Sequence, residues 1–187
     1  VGINDANYQI HPMIAGVRRV CPYYSVWKRM LERCYCPKFH AKNPTYSECT
    51  MEAEWLTFSN FRAWMLLQDW SGKVLDKDLK KHTNKHYSFE TCLFIHQELN
   101  SLLAGGAARN GVYPLGVIKK ESGSKPFRSR CCDGKGDQIH LGYFESYEEA
   151  HRTYLKYKHN LLTSLAKLPE YDYVKEHLIN YANSAFS

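Results

Sequence analysis

Phe127-Arg-Ser-Arg-Cys-Cys132, Asp133-Gly-Lys-Gly136 and Gln138-Ile-His-Leu-Gly-Tyr-Phe144 follow one another, and their reading decides the fold. The Asp/Gly segment has a turn composition, so its flanks read as an antiparallel strand pair. Upstream, Leu115 to Lys120 reads as a third strand, set off by Ser122-Gly-Ser124. Downstream, Ser146-Tyr-Glu-Glu149 has the form of a capping box, in which the serine hydroxyl accepts from the backbone N–H near Glu149. The helix it opens carries Tyr147, Ala150, Tyr154, Tyr157, Leu161 and Leu165 on one stripe. Pro169 ends that helix. A last helix, from about Tyr171 to Ala182, places Val174, Leu178 and Tyr181 on one face.

Alternation along the second strand separates its faces. Phe127, Ser129 and Cys131 point one way, and Arg128, Arg130 and Cys132 the other. A covering helix takes the apolar side, which leaves Arg128 and Arg130 toward solvent, about 7 Å apart. Two arginines at that spacing suit phosphates or the O6/N7 edge of guanine, and a sheet can enter a major groove. Lys119, Lys120, Lys125, Lys135 and His140 lie on the neighbouring strands and turns and complete the candidate DNA-binding set. An ordinary solvated basic face would carry the same residues.

Charge agrees with a polyanionic partner. The 187 residues carry a net charge of +6, and each Lys or Arg meeting a phosphate releases a counterion. The excess is uneven: residues 117–140 hold six bases against three acids, while the segment after Leu168 holds one base against three acids. Hydrophobic residues make up 44%, which is a folded rather than a disordered composition. Seven cysteines, at odd and irregular spacing, do not form a disulfide framework. Cys34-Tyr-Cys36 lacks the two-residue gap of a zinc knuckle, and Cys131 and Cys132 point to opposite strand faces. With no signal peptide and no long apolar run, a reduced cytoplasm is expected, with no membrane contact.

The N-terminal half reads differently. Residues 1–22 form an extended arm. From Ser25, the apolar set Val26, Trp27, Met30, Leu31 and Cys34 predicts a helix, which Pro37 to Pro44 break into a loop. Trp55, Phe58, Phe61 and Met65 predict a second helix, with Trp27 and Trp55 in a shared core. A strand at Val74-Leu75, a polar loop over Lys80 to Lys85, a strand at Cys92 to Ile95 and a helix over Gln97 to Leu103 make a small ββα unit. Gly105-Gly106 and Asn110-Gly111 flank a joint. The expectation is an α+β chain. Residues 1–105 carry helices and the ββα unit; residues 111–187 carry a three-stranded antiparallel sheet packed on one helix, plus a C-terminal helix.

Gly116-Val117, Lys125-Pro-Phe127-Arg-Ser-Arg130, His140-Leu-Gly-Tyr-Phe144, Tyr147-Glu-Glu-Ala150 and Tyr154-Leu-Lys-Tyr-Lys158 together resemble the Apetala-type (ethylene-response-factor) DNA-binding domain of phage and prophage proteins. Ser129 stands where alanine is usual. Trp27 to Tyr35, Pro44-Thr-Tyr46, Glu54 to Phe58, Phe61 to Met65, Leu75 to Asp78, Asn84-Lys85, Tyr87-Ser88 and Thr91 to Phe94 resemble phage-borne HNH-type endonucleases carrying such a tail. Thr83 replaces a usual glycine, and Phe89 a usual proline.

The resemblance implies a histidine general base, a divalent cation and an asparagine that fixes the histidine-bearing loop. Leu75-Asp-Lys-Asp78 occupies the strand that normally bears the histidines, and Thr91 the place of the central asparagine. Candidate catalytic residues are therefore Asp76, Asp78, His82, His86, His96 and Asn100, with Asp76, Asp78 and Asn100 as ligands for Mg²⁺ or Mn²⁺. Alternation would project both aspartates from one strand face; equally, either would serve to cap the following loop or to pair with Lys77 or Lys85. The expected function is sequence-specific binding of double-stranded DNA by a phage or mobile-element protein in a bacterial host, with HNH-like, homing-type cleavage. The alternative is a nuclease-inactive relative acting as a repressor or other regulator, and a weaker third is an inhibitor that docks its basic face on an acidic protein. A homodimer would face a palindromic target.

Overall fold

The computed structural model describes residues 1–104, 112–121 and 123–186. The chain is α+β and forms two compact units, Val1–Ile95 and His96–Ser187. The expected joint over residues 105–111 lies outside the described residues.

In the first unit, a two-stranded hairpin of β1 (Met13–Ile14) and β2 (Val17–Arg18) interrupts what reads in the sequence as a plain extended arm. The arm also bonds to the body: Ile3 N donates to Leu56 O at 2.7 Å, and Phe58 N donates back to Ile3 O at 3.0 Å. Helix α1 (Pro22–Tyr35) starts three residues before the expected Ser25, with Pro22 in its first turn, where a missing N–H costs nothing. The same physics turns the expected Pro37–Pro44 loop into a second helix, α2 (Pro37–Lys42). Proline here opens a helix rather than ending one. A 3₁₀ turn (Ala53–Leu56) leads into α3 (Phe58–Leu66), at whose start the Asp5 carboxylate accepts from Ser59 N and Ser59 Oγ. These bonds hold the Asp5 carboxyl below the usual range.

Trp27, Trp55, Phe58, Phe61 and Met65 are buried in one cluster. Trp27 Nε1 donates to Trp55 O at 2.7 Å, so the indole satisfies its one donor without reaching solvent. Strand β3 (Thr50–Met51) pairs in parallel with β5 (His86–Tyr87), and β4 (Val74–Asp76) pairs antiparallel with β6 (Leu93–Ile95). Between β4 and β5 the backbone turns through Thr83 at φ 61°, a left-handed conformation that glycine adopts without strain.

The second unit opens with α4 (Gln97–Leu103). It is followed by β7 (Val117–Lys119), β8 (Phe127–Cys132) and β9 (Gln138–Phe144), an antiparallel sheet in the order β7-β8-β9. Helix α5 (Tyr147–Leu165) packs on this sheet, and its first turn is capped by Ser146 Oγ, which accepts from Glu149 N at 3.2 Å. The side chains that α5 buries are Ala150, Tyr154, Lys158 and Leu162. That row is turned from the expected one, since Tyr157 and Leu161 give way to Lys158 and Leu162. Lys158 fits because its ammonium donates to Leu102 O near the end of α4, where helix carbonyls lack partners. Burial lowers its pKa. The Tyr181 hydroxyl of α6 (Lys175–Ala185) reaches Leu103 O at 3.4 Å, so α4 is tied from two sides.

Ser129 is fully buried on the α5 side of β8, and among the described residues its hydroxyl has no hydrogen-bond partner. Ser129→Ala is therefore expected to stabilise the second unit by about 1 kcal/mol, because it removes an unsatisfied buried polar atom. A rise in the urea midpoint at unchanged m-value is the measurement, and a fall would show that the hydroxyl has a partner in solution.

Candidate nucleic-acid interface

The three-stranded sheet has one face against α5 and one toward solvent. Register sorts the residues. Val117, Ser129 and Gly142 form a row on the helix side, as do Lys119, Phe127 and Phe144. Ile118, Arg128 and Tyr143 form a row on the outer side, and Arg130 with His140 the next. Arg128, Arg130 and His140 thus share the solvent face. Lys119 does not: it is exposed at the end of β7, but its row is that of Phe127. Lys120, one residue on, belongs to the outer face and lies over Tyr143, with Nζ 4.2 Å from the ring centre.

A register shift between Ser129 and Arg130 makes this face. Ser129 pairs with Gly142 and Arg130 with His140, so Leu141 is the extra residue of a bulge. Gly142 supports it at φ 135°. Strict alternation from His140 would have put Gly142 and Phe144 outward; the bulge turns Phe144 in and Tyr143 out. Tyr143 is an outer-face residue absent from the expected set, and Gly142 inside a strand is the sequence signal for it.

The outer side chains hold one another. Arg128 Nε donates to His140 Nδ1 at 3.2 Å, and the His140 ring lies 4.7 Å from that of Tyr143. Lys120, through its hydrogen bond, lowers the pKa of the Tyr143 phenol. Arg128 is thereby fixed in direction while most of its fork remains available. Lys125 is exposed before β8, and Lys135 is exposed in the turn after it. That turn is organised by Asp133 Oδ1, which accepts from the backbone N–H of Lys135, Gly136 and Asp137 at 2.8, 3.1 and 3.0 Å.

Of the two arrangements expected for the aspartates, the structure has the second, in which Asp76 caps its loop and Asp78 pairs with Lys77. Strand β4 ends at Asp76, so Asp76 and Asp78 do not project from one strand face. Asp76 is buried and folds back on the chain: its Oδ1 accepts from Asp78 N at 2.9 Å and Leu79 N at 2.7 Å. Asp78 instead accepts from Lys77 Nζ at 2.6 Å. An aspartate at the end of a strand reaches the N–H groups two and three residues on, which is the local competition that makes Asx turns. Asn84 closes the loop by donating to Lys77 O and His86 O. Thr91 Oγ1 donates to His86 O at 2.9 Å and binds Ser88, fixing the turn between β5 and β6.

His86 is half-buried, with Nδ1 2.8 Å from Thr50 Oγ1 and Nε2 3.4 Å from Glu52 Oε2. His82 is exposed in the loop. His96 and Asn100 belong to the second unit, where His96 meets the Tyr173 ring at 6.4 Å. In the Asp76–Asp78 pair, the Lys77 ammonium is bound to Asp78 Oδ1 and backbone N–H groups take Asp76 Oδ1. Among the described residues, no three His, Cys, Asp or Glu side chains gather as a metal site.

Burial raises the pKa of Asp76 against the lowering effect of its backbone bonds. A carboxyl whose folded pKa exceeds its unfolded value costs stability once it is ionised, and that cost disappears as pH falls through the folded value. Asp76→Asn keeps the Oδ1 acceptor and removes the charge, so its stability should lack this pH dependence. Asp76→Ala leaves the N–H of Asp78 and Leu79 without their acceptor and should cost about 2 kcal/mol. Urea titrations of both variants between pH 4 and 7 measure the difference; equal losses would mean that Asp76 does not act as a cap.

Compared with protein-family models, with curated proteins and with solved structures, the chain matches none. Among the described residues, no helix is long and apolar enough to cross a membrane.

Proposed function

We propose that the chain is a sequence-specific double-stranded DNA-binding protein, with the outer face of β7-β8-β9 as its reading surface. The observation that carries this is the pair Arg128 and Arg130, half-buried neighbours on the outer face of β8, with Arg128 aimed by His140. Arginine presents a rigid fork that pairs in bidentate fashion with guanine O6 and N7, and fixing its direction beforehand reduces the entropy lost on binding. Lys120, Lys125 and Lys135 supply phosphate contacts around the pair. Tyr143 adds an aromatic edge beside them.

On this reading the chain descends from phage-borne HNH-type endonucleases with an Apetala-type tail, and acts as a DNA-bound regulator without cleaving. The support is the use of the aspartates: Asp76 Oδ1 caps its own loop and Asp78 Oδ1 is paired with Lys77. Cleavage remains the second reading, favoured by one observation. His86 sits between Thr50 and Glu52, and a ring oriented by a carboxylate is a chemically reasonable general base.

Selection from a random pool of duplexes, followed by incubation of the bound sites with Mg²⁺ or Mn²⁺, tests both. The expected result is a recurrent bound sequence and intact strands. A pool that stays unenriched at low salt would overturn the binding proposal. Nicks that vanish in His86→Ala would replace the regulator with the nuclease.

A further inference from the structure

The N-terminal hairpin has no role in the first unit's core. All eight residues from Met13 to Val20 are exposed, although Met13, Ile14, Val17 and Val20 are apolar. The hairpin is nevertheless built firmly. Cys21 N donates to Ile10 O at 2.8 Å and Arg19 N to Pro12 O at 2.9 Å, while Cys21 is buried and its Sγ lies 3.3 Å from the Tyr8 hydroxyl. Ala15 at φ 50° and Gly16 at φ 76° make the two-residue turn that matches strand twist, even though alanine is strained there. A rooted ribbon with an apolar tip is a surface that expects a partner.

Charge names the partner. Between Asp5 and Glu32 the chain has no acidic residue, and it carries Arg18 and Arg19 in the hairpin and Lys28 and Arg29, both exposed, on α1, which follows directly. The pairing register sets Met13 opposite Arg18 and Ile14 opposite Val17, and Arg19 follows directly on β2. Apolar side chains such as Ile and Met, flanked by arginine, are what minor-groove proteins press against base steps. A second copy of the chain is a poorer occupant, since a hairpin of this size buries far less than the ~800 Å² per side of a stable interface.

We infer that the hairpin Met13–Arg19 is a second DNA contact, in which Ile14 and Val17 wedge against a base step of the minor groove while Arg18 and Arg19 bind flanking phosphates. This rests on the DNA-binding reading of the sheet, but the surface is separate, being in the first unit. Wedging unstacks a step and bends the duplex, which gives the inference a signature that phosphate contact alone lacks.

The test uses the full chain and a duplex selected by it, labelled at both ends to report bending. Ile14→Ser with Val17→Ser should leave circular dichroism unchanged, because both side chains are exposed. It should weaken binding about tenfold with an unaltered salt slope and straighten the duplex. Arg18→Ala with Arg19→Ala should lower the slope of log K against log salt by about two. Wild-type affinity and bend in both variants would overturn the inference while leaving the sheet reading intact, because Arg128→Ala with Arg130→Ala would still bind the duplex about a hundredfold more weakly. Wild-type protein that binds no duplex would overturn both. A serine variant that changes only sedimentation, or only binding to vesicles of anionic lipid, would assign the hairpin to a second copy or to a membrane and overturn the DNA contact.

Discussion

Arg128→Ala with Arg130→Ala is expected to bind the selected duplex about a hundredfold more weakly than wild type, since each bidentate arginine contributes about 1–3 kcal/mol of recognition. Discrimination should collapse together with affinity. The variant's residual binding would come from Lys120, Lys125 and Lys135, which neutralise phosphate without reading bases, so bound and scrambled duplexes should approach one another. Both arginines are half-buried on the outer face, and neither belongs to the core beneath α5. The variant should therefore melt like wild type, which separates lost recognition from lost folding. Lys119→Ala is the control: its row lies on the helix side, and its loss should leave base discrimination unchanged. Unaltered discrimination in the double-arginine variant would remove the sheet as the reading surface. Titrations at several salt concentrations carry the measurement, because affinity at one concentration mixes the two kinds of contact.

Gly116→Ala should destabilise the second unit by about 3 kcal/mol. Two costs add. Gly116 has φ 82°, and placing an L side chain there costs about 1 kcal/mol. The new Cβ would also stand 2.2 Å from Tyr154 Cδ2 and 2.8 Å from Tyr154 Cβ. Tyr154 is buried on the face of α5 that packs against the sheet, so it cannot swing aside, and overpacking of this kind costs roughly 1–3 kcal/mol. For a unit of this size, that corresponds to a fall in Tm of roughly 10–20 °C. In a Tyr154→Ala background the added cost of Gly116→Ala should be smaller, because the ring atoms in overlap are gone and the two sites are coupled. A loss below 1 kcal/mol in Gly116→Ala would mean that β7 and α5 part more easily than their close approach implies.

Several elements were legible because local chemistry determines them. The Asp133–Gly136 turn, the Ser146 cap and the alternation from Phe127 to Cys132 need no distant residue to be read. They give the ends of β8 and β9 and the face on which Arg128 and Arg130 stand. Pro22 and Pro37 were misread in one direction for one reason. Proline interrupts a helix interior but is favoured in its first turn, and a window centred on the apolar stripe sees only the former.

What stayed hidden was decided between segments. The outward turn of Tyr143 comes from the β9 bulge, which exists only in the pairing of β9 with β8. The burial of Lys158 depends on the carbonyl end of α4, more than fifty residues upstream, since a lysine reads as surface until an acceptor is brought to it. A carboxylate pair and a loop cap were equally open for Asp76 in the sequence; the end of β4 and the backbone N–H groups of Asp78 and Leu79 decide for the cap. The sequence by itself determined the α+β class, the sign of the charge and the face carrying two arginines, because periodicity and composition are local. Tertiary structure alone decided which neighbours complete that face and which carboxylates are already spent, because a hydrogen-bond partner is a property of space and not of order along the chain.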